Sequence, residues 1–178
     1  MHRRAAKGET LDLLVIGCGL MQELADLPPN IRITAIDIDH RATDALAARG
    51  DSRVIEAKAV SPSQNLREIG TFDVIYAKEV IEHILDPDDY FKQLLAVLRP
   101  GGGIWLSTPN YGEPWLPLVE STFLEVVARA SGFTRKGIHP TPFSRERLTR
   151  GLQNAGFKNV QVSPVSFRLA LVAEAEKK

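Results

Sequence analysis

Glu79, Glu82 and His83 stand at i, i+3 and i+4 within Lys78-Glu79-Val80-Ile81-Glu82-His83. A helical turn there would place all three side chains on one face. Two carboxylates and an imidazole on one face suit two kinds of chemistry: holding a divalent ion, or presenting His83 as a general base near neutral pH. The same spacing also suits a plainer role, capping the helix that follows or facing solvent. A second imidazole, His139, lies in Gly137-Ile138-His139-Pro140-Thr141-Pro142-Phe143-Ser144. Together Glu79, Glu82, His83 and His139 would accept magnesium, manganese or zinc, with the two imidazoles favouring zinc or manganese.

Chemistry of another kind is written nearer the start. The apolar run Leu11 to Ile16 leads straight into Gly17-Cys18-Gly19. Glycines between a strand and a helix let backbone approach a ligand and turn N–H groups toward it. By itself the pair reads equally well as a tight turn. Its weight comes from Asp37, about 20 residues on, at the tip of the second β-type run Ile31 to Ile36, where nucleoside-binding α/β folds accept hydrogen bonds from ribose hydroxyls.

These residues need elements to position them. Phe72 to Ala77 reads as a strand covered on both faces. Asp86 is an N-cap before Pro87, with Asp88 and Asp89 adding negative charge to the first turn. Phe91, Leu94, Leu95 and Leu98 form one apolar stripe, and Pro100-Gly101-Gly102 is expected to stop the helix ahead of a strand over Ile104 to Ser107. Strand, helix and strand make a βαβ unit with parallel strands and a right-handed crossover. His40 to Arg49 reads as a helix stopped by Gly50, Arg53 to Lys58 as the third strand, and Ser61 to Ile69 as a short helix or turn with Pro62 in its first turn. Ser144 caps a last helix, Arg145 to Ala155, stopped by Gly156. Two strands, near Val160 to Pro164 and Phe167 to Ala173, are joined closely enough to be antiparallel. Residues 109–143 differ in character, with Pro109, Pro114, Pro117, Pro140 and Pro142 spaced among Tyr111, Trp115, Phe123 and Phe133, and a helix expected over Leu116 to Ala130. An insertion after that strand should lie over the carboxyl ends of a parallel sheet, where ligands bind, so it reads as a lid over the acceptor or as an aromatic packing helix.

Taken together, FDVIYAKEVIEH, LDPDDYFKQLLAVLRPGG and WLSTPN resemble the central segment of the class I S-adenosylmethionine-dependent methyltransferases, in particular the small-molecule O-methyltransferase branch that includes the ubiquinone-pathway enzymes. The resemblance runs from Leu11 to about Ala173. It implies an α/β, doubly wound, mostly parallel seven-stranded sheet with an antiparallel final strand, a Rossmann-like fold. It also implies S-adenosylmethionine as cofactor. Gly17, Cys18 and Gly19 would lie under its methionine part, Asp37 would hold the ribose and Ile38 would pack on the adenine. Ala59, Val60, Ala77 and Lys78 complete the implied cofactor set. Some relatives, among them small-RNA 3'-terminal 2'-O-methyltransferases, bind a metal through a Glu-x-x-Glu-His segment and a later histidine; Glu79, Glu82, His83 and His139 match these four positions, with a different spacing around His139.

The chain departs from that family in several places. Met21 stands where a third glycine is usual, and is expected to crowd the cofactor. Val15 replaces an acid that helps position the glycine loop, and Ala59 stands where an acid commonly recognises the adenine amino group. The N-terminal helix that often covers the cofactor is expected to be absent or vestigial.

A length of 178 residues suits one domain, 1–178, with 109–143 as the lid insertion. Lys plus Arg and Asp plus Glu balance at 22 each, so no global charge draws the chain to nucleic acid or to an anionic membrane. The basic start is followed by an apolar run interrupted at Asp12, neither a signal peptide nor a span. A single cysteine, Cys18, fits a cytoplasmic setting without disulfides.

Two functions remain in view: methyl transfer to a small-molecule acceptor, at oxygen, with His83 as base; or a binding or regulatory protein that keeps the fold without turnover, as the changes at Met21, Val15 and Ala59 would allow. A nicotinamide-dependent oxidoreductase is disfavoured, because Gln22 occupies the last glycine position of G-x-G-x-x-G. The sequence does not specify an oligomeric state.

Overall fold

β1 (Leu11–Ile16) is buried along its whole length, which fits a strand at the centre of a sheet covered on both faces. The computed structural model describes residues 8–19, 21, 25–61, 64–113 and 140–178. Around β1 stand β2 (Ile31–Asp37), β3 (Val54–Ala59), β4 (Phe72–Lys78), β5 (Leu98–Pro109), β6 (Lys158–Val165) and β7 (Ala170–Glu176). They form one seven-stranded sheet in the order β3-β2-β1-β4-β5-β7-β6. β1 to β5 pair in parallel, while β7 runs antiparallel to both β5 and β6. The doubly wound sheet with a reversed final strand is therefore as the sequence implied.

The period-2 alternation of β1 divides the core. Leu14 and Ile16 join the larger cluster with Ile75, Phe91, Leu94, Leu106, Leu148, Leu152 and Leu171. Leu13 and Val15 join a second one with Cys18, Met21, Ile33, Ala35 and Leu46. The larger cluster takes in the buried faces of α2 (Pro87–Val97) and α3 (Arg145–Ala155), and the second that of α1 (His40–Ala47). At Gly151 of α3 a Cβ would lie 2.7 Å from the Phe91 ring, so a glycine lets α3 close onto α2 despite its helical cost.

The start of α2 is as expected, with the Asp86 side chain accepting from the Asp89 N–H at 3.0 Å. Its end is not. The helix stops at Val97, and Leu98 is already extended and paired with Phe72. Pro100 disfavours helical backbone at the residue before it, and Lys177 Nζ donates to the carbonyls of Leu95 and Leu98 at 2.9 and 2.7 Å. The apolar stripe is accordingly Tyr90, Phe91, Leu94 and Val97, with Leu98 passed to β5. A single 3-10 turn, Leu66–Glu68, follows β3. Phe167, expected to begin the last strand, instead lies in the turn between β6 and β7.

Both flanks of the 109–143 insertion are pinned together. Asn110 bridges to Phe143, and the Tyr111 N–H donates to the Phe143 carbonyl at 2.8 Å. Phe143 is buried edge-on against Phe91. The expected lid helix over Leu116 to Ala130, and His139, lie outside the described residues.

Candidate active site

Among the sequence-derived residues, those assigned to a cofactor converge at the carboxyl ends of β1 to β4. Gly17 and Gly19 both adopt left-handed backbone, at φ +69 and +46. A Cβ on Gly17 would lie 2.5 Å from a Val80 methyl, so glycine lets the loop after β1 close onto the turn after β4. Among the described residues, a Cβ on Gly19 would meet nothing within 4 Å.

Asp37 organises this edge. Its Oδ2 accepts from the Gly19 N–H and its Oδ1 from the Asp39 N–H, both at 2.9 Å. Its carbonyl accepts from the Val60 N–H at 2.8 Å. One residue thus ties together the loops after β1, β2 and β3. Ionised carboxylate oxygens can each accept more than one hydrogen bond, so capacity remains for two hydroxyl donors. Ile38 beside it is 70% exposed. Ala59 is exposed and Val60 buried at the end of β3, while Ala77 is buried and Lys78 exposed at the end of β4.

Two of the departures read differently in three dimensions. Met21 does not crowd the edge: its side chain is buried in the second cluster with Leu13, Val15 and Leu46, and its N–H donates to the Cys18 carbonyl at 2.8 Å. Val15 packs in the same cluster. The support expected from an acid at that position comes instead from Asp37, and from the Ile36 carbonyl accepting the N–H groups of Gly17 and Cys18 at 2.9 and 3.2 Å. The Cys18 thiol is buried beside Asp37, and burial, reinforced by that carboxylate, pushes it up to about 11. It stays protonated at neutral pH and is no nucleophile.

The turn after β4 corrects a further expectation. Glu79, Glu82 and His83 do not share a helical face. Glu79 has left-handed backbone, φ +54, and precedes the single 3-10 turn Ile81–His83. Its Oε1 accepts from Ser107 Oγ at 2.9 Å. Glu82 points inward, 1% exposed, with Oε2 accepting from Thr108 Oγ1 at 3.0 Å. His83 is exposed. Among the described residues no three His, Cys, Asp or Glu side chains gather as a metal site; the fourth expected ligand, His139, lies outside them. The segment just after it is nevertheless fastened to this turn. The Thr141 N–H donates to the Glu82 carbonyl at 3.1 Å, and Thr141 Oγ1 donates to the Ile84 carbonyl at 2.6 Å. Sequence reading passed over Ser107, Thr108 and Thr141. Hydroxyl residues at the end of an otherwise apolar strand, opposite an acid-rich turn, were the available signal.

A cavity of about 950 Å³ lies elsewhere, over the sheet face lined by Leu13, Val15, Val74, Tyr76 and Trp105. None of Gly17, Gly19, Asp37 or Ile38 lines it. In a parallel sheet the carboxyl edge is where ligands bind, so we place the candidate site at Asp37 and not in that cavity.

A family described as "Methyltransferase domain" matches residues 2–162. The chain belongs to this methyltransferase family. Its similarity extends to a ubiquinone biosynthesis O-methyltransferase of Ralstonia nicotianae, 26% identical over 165 residues, covering 88% of this chain and 68% of that protein. Another ubiquinone biosynthesis O-methyltransferase, from Caulobacter vibrioides, is 36% identical over 108 residues, covering 57% of this chain and 42% of that protein. Among solved structures, the CurJ carbon methyltransferase superposes with a TM-score of 0.69 at 20% identity, covering 94% of this chain and 48% of that one. The last likeness is one of fold. The methyltransferase domain described here spans from under half to about two thirds of these relatives' lengths.

Methyltransferases of this class take S-adenosylmethionine, and the residues present fit it. The spare acceptor capacity of Asp37 matches ribose hydroxyls, the exposed Ile38 side chain offers an apolar surface for a base, and no described residue stands within 4 Å of a Cβ on Gly19. Among the described residues, no helix is long and apolar enough to cross a membrane.

Proposed function

We propose that this methyltransferase domain transfers a methyl group to an oxygen of a small-molecule acceptor, in the cytoplasm, with His83 as the base. The supporting observation is the placement of His83. It is exposed on the 3-10 turn that directly follows β4, and that turn is fixed from behind by Glu82 on Thr108 and by Thr141 on Glu82 and Ile84. Val80 of the same turn packs against Gly17, which joins the base to the cofactor loop.

When bound, S-adenosylmethionine supplies a methyl group on a positively charged sulfur. The protein's own part is to hold and orient. Gly17, Gly19, Asp37, Ile38, Ala59, Val60, Ala77 and Lys78 form the proposed cofactor edge, and its anchored loops fix where the methyl group is presented, which supplies rate through proximity. His83 would take the proton of the acceptor hydroxyl as its oxygen bonds to the methyl carbon and the carbon–sulfur bond breaks, its electron pair leaving with the sulfur as a neutral thioether. A phenolic hydroxyl suits an imidazole base better than an alkyl alcohol, because phenols ionise near pH 10. The O-methyltransferase names of the curated relatives favour oxygen as the acceptor atom. With Glu79 held by Ser107 and Glu82 by Thr108, the base reading needs no divalent ion.

The test is transfer of label from S-adenosylmethionine carrying a tritiated methyl group to a panel of phenols, alcohols and amines. Phenols should be methylated, His83→Ala should lower kcat by about 10²- to 10⁴-fold with S-adenosylhomocysteine affinity unchanged, and dialysis against EDTA should leave turnover intact. Loss of turnover on chelation would return Glu79, Glu82, His83 and His139 to a metal-binding role. Tight binding of S-adenosylhomocysteine with no methylation of any acceptor would favour the binding-protein reading.

A further inference from the structure

The turn between β6 and β7 is built in backbone that its residue types disfavour. Ser166, Phe167 and Arg168 are successive left-handed residues, at φ +51, +56 and +69. Left-handed backbone is disfavoured for side chains other than glycine, asparagine and aspartate, and is rarely sustained over consecutive positions. Hairpin tips normally take those three residue types. Here the central residue is a phenylalanine whose side chain is the most solvent-facing of the large apolar groups among the described residues, 92% exposed.

Among the described residues, this turn is clasped by the segment that leaves β5. The Asn110 N–H donates to the Leu169 carbonyl at 2.8 Å, and the buried Asn110 amide donates to the Arg168 carbonyl at 2.9 Å. Arg168 Nε donates to Glu113 Oε1 at 2.7 Å. Asn110 and Glu113 belong to the segment leaving the carboxyl end of β5. Because β7 is antiparallel to β5, with Ala170 opposite Pro109, the hairpin tip lies at the same edge of the sheet as the β4 turn. Two strand spacings of about 4.8 Å separate β7 from β4, so along that edge the tip is offset sideways from β4 by on the order of 10 Å. That is the span of one substituted aromatic molecule.

We infer that Phe167 is an acceptor-contacting residue: the strained turn holds its ring at the mouth of the site, against the apolar part of the molecule being methylated. This rests on the proposed function and adds a specificity determinant to it. The turn is held in place by Asn110 and Glu113, and the ring is free to be covered when an acceptor enters. An acceptor without an apolar substituent would gain little from it.

Catechol and 4-tert-butylcatechol are suitable probes, assayed with wild type, Phe167→Ala and Phe167→Asn. In both variants KM for 4-tert-butylcatechol should rise about three- to tenfold, the size of one aromatic contact, with kcat and S-adenosylhomocysteine affinity unchanged and with a smaller effect on catechol. Phe167→Leu should recover part of the loss. Phe167→Asn should also raise the melting temperature, since asparagine accepts left-handed backbone. Unchanged KM for both probes in Phe167→Ala would overturn the inference. If wild type methylates neither probe, the proposed function fails for phenols and binding alone decides. Amide resonances of Ser166 to Leu169 would be followed by NMR as 4-tert-butylcatechol is added to the S-adenosylhomocysteine complex. Shifts at the tip that vanish in Phe167→Ala would uphold the contact, and a tip that does not respond would refute it.

Discussion

Removing the Asp37 carboxylate would disturb more than the proposed ribose contact, because the same two oxygens hold the N–H groups of Gly19 and Asp39. Asp37→Ala should therefore weaken S-adenosylhomocysteine by about 1.5–3 kcal/mol, the range for hydrogen bonds to a charged group, and should also loosen the glycine loop. Calorimetric titration measures the first effect and amide exchange at Gly19 the second; unchanged affinity would remove Asp37 from the site. Met21 shows the opposite case. The side chain expected to crowd the site is instead buried in the second core cluster, on left-handed backbone at φ +39. Replacing it by glycine would relieve backbone strain but empty a packed position, so the residue is better understood as core than as an obstacle.

Elements were more legible in the sequence than their ends. The apolar runs of β1, β2 and β4, the Asp86 and Ser144 caps, and Gly156 after α3 follow from local chemistry, and the structure has each of them. Where a distant partner decides, sequence reading fell short. Lys177 lies far along the chain from the carbonyls it caps at the end of α2, and the stripe expected from sequence runs one residue past the helix, to Leu98. Phe167 has the composition of a strand residue, but the clasp from Asn110 and Glu113 makes it a turn. The triad after β4 was read on a helical wheel, yet Glu79 has left-handed backbone and Glu82 is drawn inward by Thr108. That last contact is testable. Thr108→Val keeps the shape but removes a donor to a buried carboxylate, and should cost about 1–3 kcal/mol in urea unfolding with m unchanged. A loss below 0.5 kcal/mol, taken as the about-zero range of a surface change, would show that Thr108 contributes little to holding the turn.

Across the whole molecule the two ends of the sheet have separate tasks. Asp12, Arg32, Asp73 and Arg99 are the second residues of β1, β2, β4 and β5, so the parallel register gathers them at the amino edge. Arg99 reaches Asp12 and Asp73 at 2.7 and 2.8 Å, Arg32 Nε reaches Asp12 at 2.7 Å, and the Asp12 N–H donates to Asp73 at 3.0 Å. Asp12 raises the affinity of Arg99 for its proton, and Asp73 adds to this. Arg99→Ala should lower stability by about 0.5–1 kcal/mol, because its side chain is partly exposed, with less effect in high salt. Affinity for S-adenosylhomocysteine should be unchanged, and a large change there would mean that the two edges are coupled. The position of β7 between β5 and β6 bears on how the molecule is made. β7 is the seventh strand in sequence, yet it supplies both the outer neighbour of β5 and the inner neighbour of β6. A nascent chain that has emerged through Val165 thus has β6 with no strand to pair with and β5 with a bare edge able to join another chain. Synthesis must deliver about ten more residues before either is closed, so a ribosome stalled in that interval would present an association-prone intermediate of the kind that chaperones bind.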